Sequence, residues 1–487
     1  MNRVYRDLST AMTEKKISTI SATASAVLGV MILAWWFIYD PTSSFVIHEP
    51  GMDNRTLSGG MLRARVQIGR DFTRFDGVAS GLNGVWPAFR GTGRDNIQQA
   101  VRLRTDWTAV PEVLWSVSLG EGHAAPAVSN GRVYVLDYLE EEQADALRCF
   151  SLDDGKEIWR RGYPVHVKRN HGMSRTIPAV SDSFVVTIGP RCHVMCVNAA
   201  RGDLIWGIDL EAEFGTEVPF WYTGQCPLID RGVAVIAPGG HAIMIGVDCA
   251  TGNVLWETPN PGGWKMSHSS VMPMVIHEKH MYVYCTTDGV AGVSAEPRDQ
   301  GRLLWKSTAW SHSVIAPSPL ALEGNRILLT AGYGAGSMIL QINQTADSLY
   351  MDEVIQACKP DQGFASEQQT PLFYKGYLYG VMPKDAGALR NELVCADPSD
   401  LTRILWSSGK THRFGLGPYL IAGDKILLLK DNGDLHLIEA SPETCKIITH
   451  AQIFEGHDAW GPMALVNGRL LLRDANRMYC IKVGGEG

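Results

Sequence analysis

A spaced Gly–Trp pattern constrains the fold of this chain more than any other feature of the sequence. In Ser151–Trp159 a turn-forming polar residue is followed four positions later by Gly and four after that by Trp. The pattern returns as Asn198…Gly202…Trp206, Asp248…Gly252…Trp256 and Gly301…Trp305, with Trp-to-Trp steps of 47, 50 and 49 residues. A fixed period of this size indicates repeated supersecondary units that stack against one another.

A second register has the same period and continues to the end of the chain. In each of eight segments a Pro opens an apolar strand, and a short polar turn and a second strand follow. The prolines are Pro126, Pro178, Pro227, Pro273, Pro317 or Pro319, Pro371, Pro418 and Pro462. Turns such as Asn130-Gly131 and Asn467-Gly468 favour hairpins, and Pro at the first strand position removes no ladder donor.

The two ends of the repeat array complement each other. The eighth unit stops after its third strand near Ile481–Val483, whereas Val113–Trp115 is a fourth strand with no unit before it. A ring whose last blade takes its outer strand from the N-terminal side leaves no open edge. The sequence therefore predicts an all-β, eight-bladed propeller of four-stranded blades, about 46 residues each.

The repeated residues have physical roles in such a ring. Gly in the turn between third and fourth strands supplies a positive φ, and a Trp on the outer strand inserts between neighbouring blades. The blade-docking residues predicted in this way are Trp115, Trp159, Trp206, Trp256, Trp305 and Trp406. Cys149, Cys196, Cys395 and Cys480 recur late in their repeats, which favours small buried thiols over disulfides or metal ligands.

The N-terminal region contains a candidate membrane anchor. Residues 17–39 carry no charge and are long enough to cross the hydrocarbon layer as a helix. Basic residues precede this stretch, which predicts a cytoplasmic N-terminus for residues 1–16 and an extracytoplasmic location beyond it. A cleaved signal peptide is the alternative, but no small-residue cleavage site follows the apolar core.

Residues 40–110 read as an irregular linker before the propeller at 111–487. Within the linker, Trp86–Asp95 forms a compact aromatic and basic turn segment. We interpret this segment as a strand or loop that packs on the propeller edge. The net charge of −7 and the lack of a basic patch interleaved with aromatics exclude nucleic acid as a partner class.

The repeats resemble the PQQ-type repeat, in which Ala-x-Asp-x-x-x-Gly-x-x-x-Trp recurs. Eight-bladed quinoprotein dehydrogenases share this repeat with the bacterial outer-membrane assembly lipoprotein BamB. Trp86-Pro-x-Phe-Arg-Gly, followed by Leu-Trp115-x-x-x-Leu-Gly, also resembles the entry to BamB-like proteins. The resemblance covers about Val113 to Val483 and implies the fold more strongly than the activity.

The resemblance implies two functional classes. Its enzymes hold PQQ over an adjacent-cysteine disulfide and a Trp floor, with a calcium ion and an Asp base. This chain has no Cys-Cys pair, so we predict no catalytic residues and no cofactor. Two alternatives are kept: a PQQ- and calcium-dependent dehydrogenase-like enzyme, and a sensor that binds a small ligand or a metal at the polar channel mouth. The preferred prediction is a BamB-like, non-catalytic scaffold.

The residues just before each opening Pro form a candidate site at the channel mouth, because neighbouring blades present them towards one axis. This set comprises His123, Arg175, Gln225, His268, His312, Gln368, His412, His457 and Trp460. Converging imidazoles can bind a metal or an anionic ligand. A hydrated polar funnel is the other interpretation.

These features together predict a monomeric propeller in the bacterial periplasm, anchored in the inner membrane by one N-terminal helix. Its partners are predicted to be envelope proteins. BamB is tethered to the outer membrane by a lipid, so the helix separates this chain from a simple BamB equivalent.

Overall fold

The computed structural model describes residues 2–39, 66–347 and 349–485. The chain forms two compact units, and the boundary between them falls between residues 65 and 66. The first contains one α-helix, Asn2–Ile38. By length and composition, its Thr19–Ile38 stretch is apolar enough to cross a membrane. Positions 40–65 of the predicted linker lie outside the described residues.

The second unit consists of eight antiparallel sheets, which we call blades 1 to 8, and confirms the predicted propeller. From inner to outer strand, blade 1 comprises Ala127–Ser129, Arg132–Leu139, Ala144–Ser151 and Glu157–Pro164, and blade 2 comprises Ala179–Val180, Phe184–Ile188, His193–Asn198 and Leu204–Asp209. Blade 3 comprises Leu228–Asp230, Val233–Ile236, Ala242–Asp248 and Val254–Pro259. Blade 4 comprises Met272–Ile276, Lys279–Cys285, Val290–Ser294 and Leu303–Ser307. Blade 5 comprises Leu320–Leu322, Arg326–Ala331, Gly336–Gln344 and Tyr350–Cys358. Blade 6 comprises Leu372–Tyr374, Tyr377–Val381, Leu393–Asp397 and Asp400–Ser407. Blade 7 comprises Tyr419–Ala422, Lys425–Leu429, Asp434–Glu439 and Ile447–Gln452.

Blade 8 closes the ring as the sequence predicts. It consists of Ala464–Val466, Arg469–Arg473, Arg477–Lys482 and, from the other end of the unit, Val113–Ser118. The N-terminal strand pairs antiparallel with the third strand of the blade, and Trp115 lies opposite Cys480. Because the outer strand comes from before blade 1, the two ends of the unit hold each other in place.

The outer-strand Trp residues pack against neighbouring blades. A Cβ added to Gly155 would lie 2.7 Å from the ring of Trp115, and one added to Gly202 would lie 2.6 Å from the ring of Trp159. Both glycines have positive φ, of 70° and 73°. The Trp of one blade therefore packs on the turn glycine of the next blade, where a side chain has no room.

Each docking Trp also lies across a small residue of its own blade. Cys149 is opposite Trp159, Cys196 opposite Trp206 and Cys395 opposite Trp406. Glycine takes this place opposite Trp256 and Trp305. The four predicted cysteines are buried free thiols, which explains their recurrence: a larger residue would displace the indole.

Four short elements complete the second unit. Asp71–Arg74 pairs with the outer strand of blade 1, and Ile97–Gln98 runs parallel to the inner strand of blade 7. Leu210–Phe214 is a short α-helix capped by Asp209 and Gly215, and Gly387–Leu389 is a 3₁₀ turn.

The Trp86–Asp95 segment does not pack on the propeller edge, and that interpretation was wrong. Trp86 bridges to Val128 on the inner strand of blade 1. The buried Arg90 guanidinium donates to the carbonyl oxygens of Thr370 and Pro371 at blade 6, at 2.8 and 3.0 Å. The Pro87 carbonyl also accepts a hydrogen bond from Val180 N on the inner strand of blade 2, at 2.7 Å. The segment therefore crosses the ring between blades 2 and 6, which face each other. Burial of the Arg90 charge is offset by hydrogen bonds, since Nε and Nη2 also donate to backbone carbonyls.

Candidate functional site

A cavity of about 370 Å³ lies where the segments before the inner strands converge. Five of the nine residues predicted for the channel mouth line it: His123, Arg175, His268, Gln368 and Trp460. They come from the connections into blades 1, 2, 4, 6 and 8, so the ring brings together residues up to 337 positions apart, from 123 to 460. These five residues therefore lie around one cavity in the folded ring.

The other four predicted residues do not line this cavity. Gln225 is buried, and its amide bonds both the N–H and the carbonyl of Ala237 at 2.8 Å. His312 lies edge-on to Trp310, with ring centroids 4.4 Å apart. His457 is 80% exposed and pairs with Asp458 at 3.1 Å. Position before the opening Pro fixes the loop but not the direction of the side chain.

His412 is the fourth residue outside the cavity. Its ring centroid lies 6.5 Å from that of His436 on blade 7. It therefore lies beside a different group of side chains, on blade 7.

Phe89 contributes to the cavity wall from the segment that crosses the axis. Arg90 of the same segment bonds the carbonyl of Thr370, which also lines the cavity. The segment therefore forms part of the cavity wall, a role that the sequence analysis missed.

Two of the imidazoles that line the cavity, those of His123 and His268, are held neutral. Burial, followed by the charges of Arg473 and Arg175, lowers the pKa of His123 to about 3. Burial and then Arg175 lower the pKa of His268 to about 4. His123 also stacks on Trp460, with ring centroids 4.8 Å apart. Neutral imidazoles remain available as hydrogen-bonding groups or metal ligands at neutral pH.

Arg175 supplies positive charge beside these imidazoles. Burial lowers the pKa of its guanidinium to about 10, so it stays protonated at neutral pH. Its Nη2 donates to the backbone carbonyls of Asn170 and His171, at 2.6 and 3.0 Å. These bonds fix the guanidinium against its own loop.

Glu367 is a buried carboxylate in the cavity wall, and Lys384 neutralises it at 3.3 Å. The same ammonium lies 4.9 Å from the centre of the Tyr333 ring. Among the residues described as lining the cavity, Glu367 is the one carboxylate. The described wall therefore combines the Glu367–Lys384 ion pair with the Arg175 guanidinium, for which the described residues provide no carboxylate partner.

Exposed aromatic side chains border the cavity, and the sequence analysis did not identify them. Trp221 and Tyr333 line it and stack with ring centroids 6.0 Å apart, and Phe220 contacts Trp221 edge to face. Phe220 is 80% exposed and Tyr333 is 48% exposed. We call Phe220, Trp221 and Tyr333 the aromatic rim. The sequence does contain a signal for this rim, namely the run of aromatic residues 220–222 in a segment with no strand pattern.

Backbone contacts hold the aromatic rim in position. Asn170 Nδ2 donates to the Phe220 carbonyl at 2.9 Å, and the Tyr222 hydroxyl donates to the Lys168 carbonyl at 2.6 Å. The connections into blades 2 and 3 are thus tied together. An exposed aromatic held on an ordered loop loses little conformational entropy on binding.

The cavity does not match the PQQ site that the resemblance implies. That site requires two adjacent cysteines, an Asp base and calcium ligands. The chain contains no adjacent cysteine pair, and the single lining carboxylate, Glu367, already pairs with Lys384. Nothing in this donor set replaces the missing groups, so no reaction step is derived through PQQ.

Comparisons with solved structures show the same class of fold. BamB from Moraxella catarrhalis superposes with a TM-score of 0.50 at 11% identity, covering 77% of this chain and 100% of that chain. A quinohemoprotein alcohol dehydrogenase from Comamonas testosteroni gives 0.56 at 13% identity, with 83% and 81% covered. A europium-containing methanol dehydrogenase gives 0.56 at 10% identity, with 82% and 98% covered. The molecule is therefore an eight-bladed propeller of the PQQ-repeat class.

The sequence defines the family within that class. A family model for the outer membrane protein assembly factor BamB matches residues 143–400, just over half of the chain. The chain belongs to this BamB family. No curated protein sequence matches it.

Proposed function

We propose that this protein is a non-catalytic extracytoplasmic scaffold whose aromatic rim binds an envelope protein. The observation that carries the proposal is the aromatic rim at the axial cavity, in which Phe220 and Tyr333 are exposed and Trp221, in contact with both, is half-buried. Aromatic residues of this kind dominate binding energy at protein interfaces. The family, whose described role is outer membrane protein assembly, supports a partner of the same cellular compartment.

The charge of the cavity indicates which kind of partner segment this interface would bind. Within the part of the chain that the structure describes, Arg175 has no ion-pair partner, whereas Glu367 is paired with Lys384. A partner segment that carries a carboxylate beside an apolar residue complements both the guanidinium and the aromatic rim. Charge complementarity of this kind contributes register and specificity.

Site-specific photo-crosslinking in intact membranes tests the proposal. A photoreactive residue at Phe220 is expected to trap a discrete envelope protein. The same residue at Leu255, which is 54% exposed on the outer strand of blade 3, is the matched control and should trap none. In the purified complex, Phe220→Ala is expected to weaken binding about tenfold, or about 1.4 kcal/mol. Equal adducts at both positions would contradict the proposal.

The N-terminal helix supplies the proposed anchor in the bacterial inner membrane. We propose that Thr19–Ile38 spans it once, with the N-terminus in the cytoplasm and the propeller in the periplasm. The exposure of Trp35 and Trp36, 59% and 69%, suits an interfacial aromatic belt. Intact mass measurement of the membrane-extracted chain distinguishes this anchor from a cleaved signal, because only the anchor retains residues 1–39.

A PQQ-dependent dehydrogenase is the second candidate, and the shared fold is the observation that favours it. It predicts that the purified chain, mixed with PQQ and calcium, develops quinone absorbance and reduces a dye with alcohols. The scaffold proposal predicts neither signal. A turnover-dependent signal would replace the scaffold proposal with an enzyme.

A further inference from the structure

Blade 7 carries a cluster of two imidazoles and one carboxylate outside the residues that line the axial cavity. Asp434 and His436 are on its third strand, and His450 is on its outer strand. One potential ligand atom from each of the three lies within 4.8 Å of the other two. The propeller docking and the proposed partner interface both leave this cluster without a role.

Strand register places the three side chains on one face of the sheet. Asp434 and His436 are two positions apart, so their side chains point the same way. His450 is directly opposite His436 in the antiparallel pair, where side chains of facing residues are neighbours. The rings stack with centroids 4.9 Å apart and planes 11° apart. The arrangement is therefore fixed by the sheet and not by a mobile loop.

The distances suit a shared metal ion. His436 Nε2 lies 2.9 Å from Asp434 Oδ2, and His450 Nδ1 lies 3.1 Å from Asp434 Oδ1. A zinc ion bonds nitrogen and oxygen ligands at about 2.0–2.2 Å, which separates two such ligands by about 3.0–3.5 Å. Small rotations of these side chains would admit an ion between the imidazoles and the carboxylate.

The cluster combines a buried base with an open side. His436 is 3% exposed, whereas the His450 side chain is 60% exposed. An ionised carboxylate only accepts hydrogen bonds, so without a metal both facing nitrogens carry the hydrogens that contact Asp434. When a divalent cation takes the place of those two hydrogens, each neutral imidazole carries its hydrogen on the other ring nitrogen. The cation is reached from solvent past His450.

We propose that Asp434, His436 and His450 form a binding site for a first-row divalent transition metal. Two imidazoles with one carboxylate favour zinc and its neighbours over magnesium or calcium, which prefer oxygen ligands throughout. Three protein ligands leave coordination positions for water or for His412, whose ring centroid lies 6.5 Å from that of His436. Lys430 Nζ, 3.9 Å from Asp434 Oδ2, opposes the cation and limits its affinity.

Zinc titration of the purified full-length chain, without a polyhistidine tag, tests the site. Isothermal titration calorimetry is expected to show one zinc ion per chain, and cobalt as a substitute is expected to give visible d–d absorbance. His450→Ala and Asp434→Asn should each raise the zinc Kd on the order of 100-fold or more, above the usual effect of an outer-shell change. Lys430→Gln should lower it.

His241→Ala is the matched control. His241 is 58% exposed and lies 3.7 Å from the carboxylate of Glu257, with no second imidazole in that pair. It should leave stoichiometry and Kd unchanged, and unfolding temperatures measured without metal verify that each variant is folded. Absence of zinc binding by the wild type, or equal binding by wild type and His450→Ala, would overturn the proposal.

Discussion

Single residues show how burial, and not sequence neighbourhood, sets the chemistry of this propeller. Asp145 on blade 1 is fully buried, and the Tyr163 hydroxyl donates to its Oδ2 at 2.9 Å. Burial raises the pKa of this carboxyl to about 7. Burial instead lowers the pKa of His123 and of His268 in the cavity, because it disfavours the charged form of a carboxyl and of an imidazole alike.

The raised pKa of Asp145 predicts that the free energy of unfolding depends on pH. Between its ordinary pKa near 3.8 and its folded pKa of about 7, the folded state binds more protons than the unfolded state. Its contribution to stability is therefore complete at low pH and falls as pH rises through this window, by up to about 1.4 kcal/mol per unit. Asp145→Asn should flatten the decline in unfolding free energy between pH 5 and pH 7.5.

Denaturant unfolding at several pH values measures this effect. Asp182→Asn, at an exposed position, serves as the control and should follow the wild-type pH profile. Parallel profiles for Asp145→Asn and wild type would show that the carboxyl does not titrate in this window.

Among the structural elements, the turn between the third and outer strands couples one blade to the next. Its glycine does two things: it adopts positive φ, and it leaves space for the preceding blade's Trp. Gly202 has both features, whereas Gly376 has a φ of 83° and no atom within 4 Å of an added Cβ. The two glycines therefore separate backbone strain from steric exclusion.

Substitution of these glycines gives a matched test. Gly376→Ala should cost about 1 kcal/mol for the positive φ alone. Gly202→Ala should cost about 2–4 kcal/mol, because the new methyl also displaces the Trp159 indole. Comparison of denaturant midpoints checks the difference; equal losses would mean that Trp159 moves aside without cost.

At the scale of the whole molecule, ring closure joins the first and last parts of the repeat array. Val113–Ser118 completes blade 8, and Trp115 Nε1 donates across to the Leu152 carbonyl of blade 1 at 3.0 Å. Asp71–Arg74 also extends a sheet, but it is added outside a blade that is already complete. Only the former strand lies in the closed circuit of blades.

Removal of each strand should therefore have unequal effects. Deletion of Val110–Leu119 is expected to lower the unfolding temperature sharply, because it opens the junction of blades 8 and 1 and exposes their shared core. Deletion of Asp71–Arg74 should cause a much smaller loss. Thermal unfolding followed by circular dichroism compares the two, and similar losses would rule out closure as the stabilising feature.

Residue spacing was enough to predict the blade number and the closing strand, and it also indicated the docking Trp residues and an axial set that includes His123, Arg175, His268, Gln368 and Trp460. These features repeat with the chain period, because each blade contacts its neighbours in the same way. Tertiary structure alone decided the features that do not repeat. Arg90 bonds a carbonyl 280 positions away, and the aromatic rim joins loops of blades 3 and 5.

The Asp434–His436–His450 cluster shows the same division within one blade. Alternation along a strand places Asp434 and His436 on one face, but strand register, which shifts at a bulge between Leu437 and Ile438, brings His450 opposite His436. A one-residue slip would turn that imidazole to the other face. A single sequence shows the alternation of side chains along a strand. Contacts across strands and across the ring depend on the folded geometry.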